Sequence, residues 1–86
     1  MELKQTILLL INPLGNKKRI GKIVAQISYV LSQQKISFLS FTETWPAEIN
    51  IYKEVWLVGG DGTVNYLLNF HQQIRQGLHI HHHRYL

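Results

Sequence analysis

The stretch Val55-Trp56-Leu57-Val58-Gly59-Gly60-Asp61-Gly62-Thr63-Val64-Asn65 decides how this chain folds. It passes from an apolar run, through three glycines, an aspartate and a threonine, into an apolar pattern of helical period. A strand that ends in a glycine turn and reopens as a helix aims backbone N–H groups at one point, where they can surround a phosphate. Gly59, Gly60 and Gly62 permit positive φ and a close approach of backbone to ligand. Thr63 can cap the helix or donate to a phosphate oxygen. Asp61 repels an anion unless Mg²⁺, or a hydroxyl donor that it activates, lies between them. Taken alone, Gly-Asp-Gly is an ordinary tight turn, so its setting has to decide.

Working outward, Thr6-Ile7-Leu8-Leu9-Leu10-Ile11 is a continuous apolar run. A strand buried on both faces of a parallel sheet reads this way. The turn residues Asn12-Pro13-Leu14-Gly15-Asn16 follow it. From residue 17 to residue 34 the period changes, with Ile20, Ile23, Val24, Ile27, Val30 and Leu31 at spacings of three and four. That is an amphipathic helix. Lys17, Lys18 and Arg19 stand at its N-terminus, against the macrodipole, and an intervening anion would relieve the conflict. Gly21 in the same turns permits a phosphate or a neighbouring strand to come close.

Ile36-Ser37-Phe38-Leu39-Ser40-Phe41-Thr42 reads as a second strand. Helix is disfavoured before Pro46, so a short connector follows, in which Pro46 could open a short helix or turn through Ile51. Residues 55–58 are the third strand. Val64, Leu67 and Leu68, then His71 and Ile74, mark a second helix with its N-cap at Asp61 or Thr63. The order predicts an α/β fold, a Rossmann-like three-layer arrangement around a parallel sheet. Such sheets bind ligands beyond the carboxyl ends of their strands. Residues 12–16, 42–45 and 59–63 converge on that edge from three parts of the chain.

Composition narrows the function classes. The chain has 86 residues, 45% hydrophobic and 16% charged, which is one small globular domain. No apolar run approaches the ~20 residues that span a bilayer. The first residues lack the layout of a secretory signal. The absence of Cys excludes a disulfide framework and a thiolate zinc site. A cytoplasmic location is expected. The net charge of +4 suits a polyanion. No aromatics interleave with Lys17, Lys18, Arg19 and Lys22, so base readout is not expected, and nucleic acid is set aside in favour of a nucleotide or peripheral contact with an anionic membrane. Neither a dinucleotide fingerprint, a Walker A loop nor a serine elbow occurs. The last ten residues, 77–86, are rich in histidine and read as a solvated tail beyond a domain of residues 1–76. His79, His81 and His83 alternate and would share one face of a strand, which leaves a metal-binding cluster as the alternative.

The glycine motif, with Asn12-Pro13-Leu14-Gly15 upstream, resembles the catalytic domain of the diacylglycerol kinase and bacterial lipid kinase family, over residues 6–70 or so. NAD kinases and phosphofructokinases carry related turns. The Asn-Pro turn, the spacing and the Val64-Asn65 pair favour the lipid kinase branch. The resemblance implies the N-terminal half of a NAD kinase-like fold, and a phosphotransferase that uses ATP and Mg²⁺ to phosphorylate a lipid hydroxyl. It implies that Asn12, Pro13, Leu14, Gly15 and Asn16 line the triphosphate and that Thr42 approaches the nucleotide. Gly59, Gly60, Gly62, Thr63, Val64 and Asn65 would hold the phosphates, with Asp61 as metal ligand and catalytic group. Phosphoryl transfer needs positioning and charge neutralisation more than covalent help.

Three departures stand out. Leu14 replaces the family's usual Ser, and Tyr66 its usual Glu. The family's Gly-Thr-Gly-Asn-Asp-type loop and its large β-rich domain have no counterpart in these residues. The expectation is therefore an ATP-binding fragment of a lipid kinase, inactive alone. The alternatives are a non-catalytic module that keeps the half-fold and forms a homo-oligomer through an exposed sheet edge, or a fragment of a NAD kinase-like enzyme.

Overall fold

Leu8, Leu9 and Leu10 are all fully buried, yet they belong to two different cores. In the computed structural model, which describes residues 4–84, they lie on the central strand β1 (Lys4–Ile11). Successive strand residues face opposite sides. Leu8 and Leu10 join Trp45, Ile49, Val55, Leu57 and Leu67 on one side. Ile7, Leu9 and Ile11 join Ile20, Ile27, Leu31 and Val58 on the other. This two-sided burial is why the run from residue 6 to residue 11 contains no polar alternation.

The remaining elements are α1 (Lys17–Gln33), β2 (Phe38–Phe41), β3 (Tyr52–Gly59), α2 (Thr63–Phe70) and β4 (His79–Arg84). The sheet has the order β2-β1-β3-β4 and every pairing is parallel. A four-stranded parallel sheet with two helices is consistent with a Rossmann-like fold. Helix α1 covers one face through Ile20, Ile27 and Leu31, while α2 covers the other through Leu67. The chain steps from β1 to β2 over one face, then from β2 to β3 and from β3 to β4 in the opposite direction over the other. Reversing direction and face together gives all three crossovers the same hand, as parallel connections require.

Local chemistry sets the ends of α1. Asn16 is its N-cap, and its side-chain oxygen accepts from the Arg19 amide at 3.1 Å. At the other end Lys35 adopts φ 58°. The Lys35 amide donates to Ser32 O at 3.1 Å and the Ile36 amide to Leu31 O at 2.9 Å, which is a Schellman motif with a lysine where glycine is favoured.

The connector of residues 42–51 holds no helix, not even the short one that Pro46 could have opened, but it does a helix's work. Trp45 and Ile49 are buried in the core under α2. The Trp45 ring meets Tyr66 edge-on with centroids 4.8 Å apart, and its indole N–H donates to Ile11 O at 3.0 Å. Helix α2 ends at Phe70, short of the pattern that ran to Ile74. Arg75 supplies the reason. Its guanidinium donates to Asn50 O at 2.8 Å and Tyr52 O at 3.0 Å, and its amide to Asn50 Oδ1 at 2.9 Å. These bonds hold the chain in a non-helical course from which Ile74 still packs on the core.

The histidine-rich segment expected as a solvated tail is instead the edge strand β4, in register with β3 from Glu54↔His79 to Gly59↔Arg84. Residues 85 and 86 of that tail, like residues 1–3, lie outside the described residues. The open edge of β3 offers unpaired backbone groups, and pairing them outweighs the weak strand preference of histidine. His83 packs on Trp56 with ring centroids 4.7 Å apart. Burial, and then the proximity of His81 and His82, pushes its pKa below the ordinary imidazole value.

Lys35→Gly should raise stability. Removing a side chain from the left-handed region relieves about 1–2 kcal/mol, offset in part by the greater chain entropy of glycine, for a net gain of roughly 0.5–1 kcal/mol. A thermal melt reads this as a Tm rise of a few degrees, and an unchanged or lower Tm would contradict the cap geometry.

Candidate functional site

Strand order reverses between β1 and β3. The loops that leave these two strands go to opposite faces and open a crevice at the carboxyl edge, where α/β sheets bind ligands. Asn12 and Thr63 occupy that crevice. They are the buried polar residues among those described, at 9% and 0% exposure. Asn12 Nδ2 donates to Thr63 Oγ1 at 3.3 Å, across 51 positions of sequence.

Each of the two is tied into its own turn. The Asn12 amide donates to Val58 O at 2.9 Å, its Oδ1 accepts from the Leu14 amide at 2.9 Å, and its carbonyl accepts from the Gly15 amide at 3.2 Å. The Thr63 hydroxyl donates to Gly60 O at 2.8 Å and its amide reaches the same oxygen at 3.2 Å. The donor and acceptor roles close without conflict. Oδ1 of Asn12 is fixed as the acceptor by the Leu14 amide, so Nδ2 faces Thr63, whose one hydroxyl proton goes to Gly60.

Gly59 is required by packing. It has φ 156°, and a Cβ there would overlap Thr63 Oγ1 and lie 2.9 Å from Asn12 Cβ. Gly62, by contrast, has φ −81° and open space where its Cβ would be. The sequence reading is corrected at the helix start. The N-cap of α2 is Gly62, not Asp61 or Thr63, and no side chain caps it. Thr63 spends its hydroxyl on Gly60 and Asn12, so it does not cap α2. The first-turn N–H groups of α2, which have no acceptor within a helix, are therefore untouched by any side-chain cap.

Asp61 stands at the tip of the turn with its side chain 92% exposed, and its Oδ1 lies 3.4 Å from Arg84 Nη1. An ion pair so exposed is screened and weak, so the carboxylate is open to a cation. Val64 and Asn65 are also exposed in the first turn of α2.

Beside Asn12 lies a cleft of about 290 Å³, walled by Asn12 and Pro13 just after β1, Lys17 and Gly21 of α1, and Thr42 and Glu43 just after β2. Nothing fills the space over Gly21. Of the residues singled out in the sequence, the cleft gathers Asn12, Pro13, Lys17, Gly21 and Thr42. Gly60, Asp61 and Gly62 do not line the cleft, and their turn is tied to Asn12 through Thr63. Leu14 is exposed, and Asn16 serves α1 as its cap. Glu43 and Arg84 were missed. Glu43 carried no signal beyond its place just after the second strand, and Arg84 reaches Asp61 only because β4 joins the sheet.

No protein-family model matches this chain, and comparisons with curated proteins and with solved structures likewise find no match.

The two glycines should respond differently to a methyl group. Gly59→Ala should cost about 1–3 kcal/mol through overlap and backbone strain, while Gly62→Ala should change stability by less than about 1 kcal/mol. Urea denaturation of both variants checks this, and equal effects would contradict the close contact at Gly59.

Proposed function

We propose that this chain binds the phosphates of a nucleotide, ATP with Mg²⁺, at the carboxyl edge between β1 and β3, as the nucleotide-binding part of a lipid kinase of the diacylglycerol kinase type. The observation that carries this reading is the Asn12–Thr63 hydrogen bond, which locks two glycine-bearing turns together beside a cleft walled by a lysine.

The residues present suit such a ligand. Lys17 brings a positive charge into the cleft and Gly21 leaves room for a phosphate. The uncapped start of α2 offers N–H groups and the positive end of a helix dipole. Asp61 is an accessible carboxylate of the kind that holds Mg²⁺ together with phosphate oxygens and water. Bound Mg²⁺ would neutralise charge on the phosphates. The part played by this chain is to position: Lys17 and the turn amides orient the phosphates, Asp61 holds the cation, and Thr42 and Glu43 border the cleft. Following the family resemblance, the phosphate acceptor is a lipid hydroxyl.

A second reading, a non-catalytic module that self-associates, draws on the edge of β2, which is unpaired among the described residues, with Leu39 exposed on it and Ile36 exposed just before it. An unpaired strand edge with apolar neighbours favours pairing between copies. Light scattering across a concentration series should then show a dimer or larger species, and a monomer throughout would rule this reading out.

For the nucleotide reading, isothermal titration with ATP and Mg²⁺ should give saturable heat. Lys17→Ala should weaken binding roughly 10-fold, the worth of one charge-assisted contact. No heat at millimolar ATP, or an unchanged affinity in the variant, would overturn it.

A further inference from the structure

The pairing of β4 with β3 creates a second cluster, remote from the glycine turn. Register places His79 opposite Glu54 and His81 opposite Trp56. Residues opposite one another, or two apart on one strand, share a face. Glu54, His79 and His81 therefore converge, and one ligating atom from each lies within 4.8 Å of the other two. Glu54 Oε1 is 3.1 Å from His81 Nε2, and the imidazole rings of His79 and His81 are 4.8 Å apart. His81 Nε2 is shielded from solvent and makes no well-aligned hydrogen bond, its approach to Glu54 being close but poorly directed. The Trp56 indole N–H, 3.4 Å from the same Glu54 oxygen, holds the carboxylate in place.

We propose that Glu54, His79 and His81 bind a divalent cation of zinc's chemistry through one carboxylate oxygen and two imidazole nitrogens, with a fourth position open to water. The donor set decides the class. Two imidazoles suit Zn²⁺ and its neighbours, whereas Mg²⁺ and Ca²⁺ select oxygen. Zinc bonds of about 2.0–2.2 Å place tetrahedral ligand atoms roughly 3.3–3.5 Å apart. Glu54 Oε1 and His81 Nε2, at 3.1 Å, need to part by only a few tenths of an ångström, and exposed His79 closes the rest by turning its ring inward. Trp56 acts as an outer partner that orients a ligand.

His83, the third alternating histidine, is not a member. It turns onto Trp56 and borders a small cleft with Gln26, Ile27 and Val30 of α1. Glu54 stands five positions before Gly59 on β3, roughly 16 Å away at about 3.3 Å per residue. The cation site is thus separate from the carboxyl edge. Its ligands come from two strands, so the bound ion fastens the edge strand β4 to β3.

A run of histidines binds metal even when unfolded, so the test turns on Glu54, which lies far from that run in sequence. Zn²⁺ is titrated into the full chain by calorimetry in a non-coordinating buffer, with Mg²⁺ and Ca²⁺ for comparison. One Zn²⁺ should bind, and Glu54→Gln should weaken it at least about 10-fold while circular dichroism stays unchanged. Equal affinity in the two proteins would overturn the proposal. If Glu54→Gln fails to fold, melting the unaltered chain decides. A site made by the fold raises Tm as Zn²⁺ is added, because it binds only the native state. A histidine run that binds the unfolded chain equally leaves Tm unmoved, and that result would also overturn the proposal.

Discussion

The hydrogen bond from Asn12 to Thr63 holds the carboxyl edge of this sheet together. It spans the point where the strand order reverses, next to the Asn12 amide's bond to Val58 O. Each partner is bound into its own turn, so the bond fixes the two turns relative to each other. Because Asn12 is buried, losing the Thr63 hydroxyl would leave its Nδ2 without water or partner, at about 1–3 kcal/mol. The same bond explains Gly59, whose hydrogen makes room for Thr63 to approach Asn12. The cleft with Lys17 and the exposed Asp61 turn are positioned by this one contact.

Much of the fold was legible because burial on two faces leaves a plain mark. The apolar residues 6–11 have no polar alternation, since Leu8, Leu9 and Leu10 serve opposite cores. The period of α1 and its end near residue 34 were equally clear. What local pattern cannot show is long-range competition. Trp45 and Ile49 fill a core from a connector without any period. Arg75 stops α2 early by claiming carbonyls more than twenty positions away. Strand β4 carries few strand-forming side chains, and its place is set by the vacant edge of β3.

The site was legible in location more than in detail. The turn at residues 59–63 does stand at the carboxyl edge, with Asn12, Pro13 and Thr42 across from it. The roles within it differ from those its composition implied. Thr63 and Gly59 are internal structure, Gly62 starts the helix, and Asp61 is left as the exposed group. The pairing of Glu54 with His79 and His81 could not be read at all, because it depends on a strand register. Two clusters thus sit on one small sheet, one at its carboxyl edge and one along its outer strand.

The central claim is that the carboxyl edge between β1 and β3 takes nucleotide phosphates. Amide chemical shifts followed by NMR during titration with ATP and Mg²⁺ test it most directly. The account predicts saturable shifts at Asn12, Lys17, Thr42 and residues 60–65, with β2 and the outer strand largely still. Shifts confined to β4, or none at millimolar nucleotide, would contradict it.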